Sequence, residues 1–176
     1  RARGERLPYA QLDARTGEFI GTTSYYEVDP AARAIAIGHT WLGRRWWRTG
    51  HNTESKLLLL THAFDMLGAA RVVWHTDVLN TRSRAAIERL GAMKEGEFRK
   101  HRVRLDGSWR DSVQYAMTDD DWPGVRQART ERRARGGAAR REPSSSRIAA
   151  SDVKADMQRM LSRGTMRHGR GGWAYV

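Results

Sequence analysis

IAIGHTWLGRRWWRTGHNTESKLLLLTHAFDMLGAARVVWHTD, residues 35–77, is the stretch on which the fold turns. Residues 35–42 are rich in β-branched and aromatic side chains and predict a strand. Strict alternation puts Ile35, Ile37 and His39 on one face and Ala36, Gly38 and Thr40 on the other. Residues 43–52 have no useful periodicity. Over residues 53–67, Leu57, Leu60, Phe64 and Leu67 recur at helical spacing, and Gly68 stands where a helix stops. Residues 71–77 read as a buried strand. Strand, glycine-containing turn, helix and strand together make a βαβ crossover. Backbone N–H groups at the start of such a helix, with Arg44, Arg45 and Arg48 nearby, form a cradle for an anion; an ordinary turn with solvated arginines has the same composition.

Working outward, residues 7–13 and 19–28 predict two strands joined through Thr16-Gly17. Asn80 or Thr81 caps a second helix that runs to about Leu90 and stops at Gly91. Residues 93–105 and 109–117 predict a hairpin turning at Asp106-Gly107. The order β-β-β-α-β-α-β-β implies an α/β (α+β) domain with a mixed sheet. After Trp122-Pro123 the pattern dissolves. Residues 132–141 alternate Arg with Ala and Gly, so 1–123 is expected to be the folded domain and 124–176 a basic, largely disordered tail. Within it, one short amphipathic helix is expected at residues 152–161.

The net charge of +12 is unevenly spread: residues 124–176 carry +9 and residues 1–123 only +3. The high isoelectric point therefore describes the tail, which offers a weak contact to nucleic acid or ribosome through phosphate charge. A solvated linker would have the same composition. There is no cysteine, which removes disulfides and thiolate nucleophiles and fits a cytoplasmic setting. The longest apolar run, residues 57–60, is far short of the roughly 20 residues of a membrane span, and no membrane partner is expected. The six histidines are scattered with no metal-binding spacing, so no metal site is expected.

Several landmarks occur in order. Ile37-Gly38-His39-Thr40-Trp41-Leu42 is followed by Trp47-Arg48-Thr49-Gly50-His51-Asn52-Thr53-Glu54. Then come Asp77-Val78-Leu79-Asn80-Thr81-Arg82-Ser83, Leu90-Gly91-Ala92 with Glu95-Gly96, and Asp106-Gly107 with Arg110-Asp111-Ser112-Val113 and Trp122. Over about residues 5–123 this set resembles the GNAT N-acetyltransferases, in particular the Rim-type branch that includes ribosomal-protein N-terminal acetyltransferases. The resemblance implies a mostly antiparallel mixed sheet with helices on both faces. The family's first strand and two helices have no counterpart here, and the chain, which opens on Arg1, reads as a fragment. Only Gly50 fully matches the family's phosphate loop; Trp47 and Asn52 depart from its commonest form.

The resemblance also implies acetyl-CoA as co-substrate and an amine acceptor, protein or small molecule, attacking the thioester directly. Trp47, Arg48, Thr49, Gly50, His51, Asn52 and Thr53 would hold the pyrophosphate. Backbone groups of Trp41 and Leu42, with Asn80, would hold the pantetheine arm between two splayed parallel strands. Ser83 is the candidate for the leaving thiolate, and its other reading is a first-turn helix residue bonding nearby backbone. His101 is the candidate base, with Glu27, His39 and His75 as alternatives. Two other functions stay open: a non-catalytic acyl-CoA binder, and an RNA- or ribosome-associated module acting through the tail.

Overall fold

The computed structural model describes residues 6–139, with side chains as far as Glu131. Six strands form one sheet: β1 (Leu7–Leu12), β2 (Phe19–Asp29), β3 (Ala34–Leu42), β4 (Arg71–Asp77), β5 (Met93–Val103) and β6 (Trp109–Thr118). Their order is β1-β2-β3-β4-β6-β5. Only β3 and β4 run parallel; the other four pairs are antiparallel. Helix α1 (His51–Thr61) and the π-helical turn that extends it (His62–Met66) connect the parallel pair, as a crossover connection must. Helix α2 (Thr81–Glu88) leads from β4 toward β5, and α3 (Trp122–Ala139) follows β6.

The core lies between the sheet and these helices. Val72 and Trp74 of β4 stand opposite Met117 and Tyr115 of β6 and are buried with them. Leu59, Leu60, Ala63 and Phe64 cover them from α1 and its extension, Ile87 from α2 and Trp122 from α3. All three helices therefore contact one face of the sheet. The expected mixed, mostly antiparallel sheet with packed helices is present. Leu60 has no exposed surface. Leu60→Ala is expected to lower unfolding free energy by about 2–5 kcal/mol, from lost burial plus the cavity left behind, in urea denaturation.

The end of regular structure also moves. It was expected at Trp122-Pro123, but α3 runs on to Ala139. Trp122 anchors it, its ring stacked on Phe64 at 5.5 Å and its indole N–H donating to Asp65 at 2.8 Å. Pro123 costs little in a first turn, whose N–H has no intrahelical partner. The Arg, Gln and Ala residues that look like tail composition are also good helix formers once such an anchor exists. Val125 of α3 lies so close to Gly91 that a Cβ there would stand 2.8 Å from it. The expected helix at residues 152–161 lies outside the described residues.

The second correction concerns β3. Ser24 pairs with Gly38 and Thr22 with Trp41, so Thr23 alone faces both His39 and Thr40. This is a β-bulge, and His39 takes a φ of +51° in it. The bulge breaks the alternation read from sequence. His39 turns to the open face, edge-on to Tyr26 at 5.1 Å. Thr40 takes its place on the helical side, its hydroxyl 3.1 Å from that of Thr23.

Candidate functional site

Immediately before that bulge the sheet divides. The parallel ladder between β3 and β4 consists of Ala34↔Arg71, Ile35↔Val72 and Ala36↔Val73, and then stops. Residues 37–42 and 74–77 continue as strands with no partner among the described residues on the side where they face each other. β3 stays bonded to β2 and β4 to β6, so the gap between them is a wedge open at the C-terminal ends of both strands.

The loop that follows β3 sits over this wedge. A 3-10 turn (Arg44–Trp46) leads to Gly50, which caps α1 with ordinary helical angles, φ −68° and ψ −18°. No side chain caps this end. The first intrahelical bond is Glu54 N–H to Gly50 C=O at 2.9 Å, so the amides of His51, Asn52 and Thr53 have no partner within the helix. A Cβ built on Gly50 meets no atom within 4 Å.

Several bonds hold the loop in shape. The Trp47 indole donates to Leu42 C=O at 2.9 Å, and the Arg82 guanidinium lies 4.3 Å over the Trp47 ring. The starts of α1 and α2 are thereby held side by side across the wedge. Thr49 Oγ1 donates to Trp46 C=O at 2.6 Å, and His51 lies between Thr49 at 2.9 Å and Asp13 at 3.0 Å. The hydrogen bond from His51 and those from Thr16 hold the Asp13 carboxyl down at about 2. Arg48 is exposed with φ +62°.

Asn80 caps α2, accepting from Ser83 N–H at 3.0 Å. Asn52 lies in the first turn of α1, after the Gly50 cap. Its Oδ1 is buried with no partner among the described residues. Free helix N–H groups beside a gap between two strands fit a ligand that carries both phosphate and amide groups.

The family model of the GNAT acetyltransferase domain matches residues 1–93. The chain belongs to that family. The [ribosomal protein uS5]-alanine N-acetyltransferase of Escherichia coli is 28% identical over 120 residues, covering 68% of this chain and 61% of that protein. A GCN5-related N-acetyltransferase structure from Brucella melitensis superposes with a TM-score of 0.68 at 35% identity, over 70% of this chain and 56% of that one. Mycobacterium smegmatis RimJ, solved in complex with CoA-disulfide, superposes at 0.60 with 30% identity, over 67% and 55%. The chain spans about three fifths of the length of the curated relatives it matches.

Within this GNAT domain the expected site residues fall into two groups. Trp41, Leu42, Trp47, Thr49, Gly50, His51, Asn52, Thr53, Asn80 and Ser83 lie around the wedge and the two helix starts. The Leu42 carbonyl is already taken by Trp47, and the His51 ring by Thr49 and Asp13, so what His51 offers a ligand is its backbone N–H. His101 stands apart, exposed on the open face of β5, with its ring 5.5 Å from His75 and 5.1 Å from Phe98. Burial, then Arg102 and His75, lower its pKa. A concavity on this face is lined by Glu27, Ala36, Arg71, Val73, His75 and Gln114. Among the described residues, no group of three or more His, Cys, Asp or Glu side chains is placed to hold a metal ion. No described helix is long and apolar enough to cross a membrane.

The sequence reading passed over Lys56. It is 5% exposed, and its ammonium donates to Thr23 Oγ1 and Thr40 Oγ1, both at 2.5 Å. It has no ion-pair partner among the described residues, and burial pushes its pKa down to about 7. The available signal was spacing: 56, 59, 60 and 63 recur as one helical face, and that face is the buried one.

Proposed function

We propose that this domain transfers the acetyl group of acetyl-CoA to a primary amine. The observation that carries the reading is the wedge between β3 and β4 with the uncapped start of α1 above it. The free amides of His51, Asn52 and Thr53 suit the pyrophosphate. The unpaired strand edges suit the amides of the pantetheine arm. Bound there, acetyl-CoA supplies an activated acyl group, and the protein's part is to align an amine with it, manage the amine's protons and exclude water.

Asn80 and Ser83 are assigned to the side where the thiolate leaves. The Ser83 hydroxyl makes no hydrogen bond among the described residues, which leaves it able to donate. The acceptor approaches from the uncovered face. The names of the relatives, ribosomal-protein N-acetyltransferases, favour a protein amine such as that of a ribosomal protein over a small amine.

Isothermal calorimetry with acetyl-CoA, followed by thiol release on adding N-terminal peptides or polyamines, tests this. Micromolar binding with amine-dependent thiol release is the expected result. Binding with no release for any amine would identify an acyl-CoA binder, and no binding would remove the reading altogether.

A further inference from the structure

Where the backbone ladder between β3 and β4 stops, side chains on the open face bridge the two strands. Ala36↔Val73 is the last backbone pair, so Gly38 and His75 are the next residues in register. Tyr26 of β2 lies across Gly38, where a Cβ would stand 2.7 Å from the Tyr26 ring. Its hydroxyl reaches His75 Nδ1 at 3.2 Å. This hydrogen bond spans the closed end of the wedge, beside the place where an acyl group in the wedge would emerge on the open face.

The bonds behind His75 decide its tautomer. Gln114 donates its amide N–H to the Glu95 carboxylate at 2.8 Å, and an ionised carboxylate can only accept. Gln114 therefore presents its oxygen to His75 Nε2, 3.0 Å away, and Nε2 carries the proton. Nδ1 is left with a lone pair that accepts from Tyr26. Arg71 pairs with Glu95 and anchors the far end. Every donor in the series Tyr26, His75, Gln114, Glu95 points the same way.

We propose that Tyr26 and His75 take the proton of the acceptor's ammonium group. This rests on the acetyltransferase reading and adds the identity of its proton acceptor. One N–H proton of the ammonium passes to Tyr26 Oη as the hydroxyl's own proton passes to His75 Nδ1. The freed nitrogen lone pair forms the C–N bond to the acetyl carbonyl carbon while the C–S bond breaks with its electron pair on sulfur. A second N–H proton neutralises that thiolate, and His75 returns its proton to water.

The imidazolium is held by Gln114 Oε1, and the Glu27 carboxylate lies 3.7 Å from Nδ1. Other charged or titratable groups face it from each neighbouring strand: His39 against Tyr26 from β3, His101 and Arg102 from β5, and Arg110 from β6. Burial, with Glu27 beside it, pushes the Tyr26 phenol up to about 12. The phenol therefore relays a proton and does not store the charge.

The test uses the full chain with Tyr26→Phe and His75→Gln. Long-range proton–nitrogen spectra of the histidine rings read the tautomer directly, with His75 assigned by its loss in the Gln variant. The expected result is a proton on Nε2, an Nδ1 resonance that moves in Tyr26→Phe, and acetyl-CoA affinity within twofold of wild type in both variants. The turnover number is expected to fall by about 100-fold or more, within the usual range for general base catalysis. A proton on Nδ1, or a Tyr26→Phe turnover within threefold of wild type, would overturn the proposal. Because the spectrum needs no turnover, failure of the wild type to bind acetyl-CoA counts separately, against the acetyltransferase reading.

Discussion

Gly50→Trp is expected to abolish acetyl-CoA binding and leave the chain folded. The two halves of this result have separate causes. Gly50 has helical angles that any L-residue adopts, and no atom stands within 4 Å of where a Cβ would be built, so the fold has room for a side chain. The same open space adjoins the free N–H groups of the first turn of α1, where the pyrophosphate is assigned. An indole there displaces phosphate oxygens from at least two charge-assisted hydrogen bonds, each worth about 1.5–3 kcal/mol. The affinity should drop by about 100-fold or more, with unchanged circular dichroism and urea midpoint. A variant that binds within threefold of wild type would move the pyrophosphate elsewhere. Gly50→Ala is the graded control and should lose much less.

The second large effect is on stability and comes from Lys56. A cation whose pKa is lowered to about 7 by burial is destabilising while it stays protonated, because the unfolded chain holds the same proton in water without penalty. Below about pH 7 both states carry the proton and the full cost is present. Between there and the ordinary lysine value the unfolded state binds more protons, so unfolding free energy rises with pH, by at most about 1.4 kcal/mol per unit for one group. Chemical denaturation at about pH 7, 8 and 9 should show this rise, below the range where tyrosines ionise. Lys56→Met keeps the length of the side chain, removes the charge and leaves the Thr23–Thr40 hydroxyl contact in place. It should flatten the slope. A slope that persists in the Met variant would assign it to another group.

Lys56 also bears on the site. Its two acceptors lie on β2 and on the bulge of β3, so one ammonium ties α1 to the strand that borders the wedge. Lys56→Met is therefore also expected to weaken acetyl-CoA binding severalfold, read by the same calorimetry, because the bulge loses its tie to the helix whose start is proposed to hold the pyrophosphate.

Much of this protein is decided by local sequence. The alternation of Phe19–Asp29, the helical spacing in His51–Thr61, the Asp106-Gly107 turn and the Asn80 cap all express short-range rules, and the elements form where those rules put them. The loop proposed to hold the cofactor could be picked out for the same reason, since Gly50 and the start of α1 are neighbours in the chain. Other features depended on contacts between residues far apart in sequence. The bulge at His39 is set by the register of β3 against β2, and it exchanged the faces of His39 and Thr40. Helix α3 formed from tail-like composition because Trp122 found Phe64 and Asp65. Lys56 counts as buried only once Thr23 and Thr40 surround it. Tyr26 and His75, 49 positions apart, meet because Gly38 lets a ring lie across the strand between them. Periodicity decides which residues share an element; which of them meet is decided by sheet register and the one place where the ladder stops.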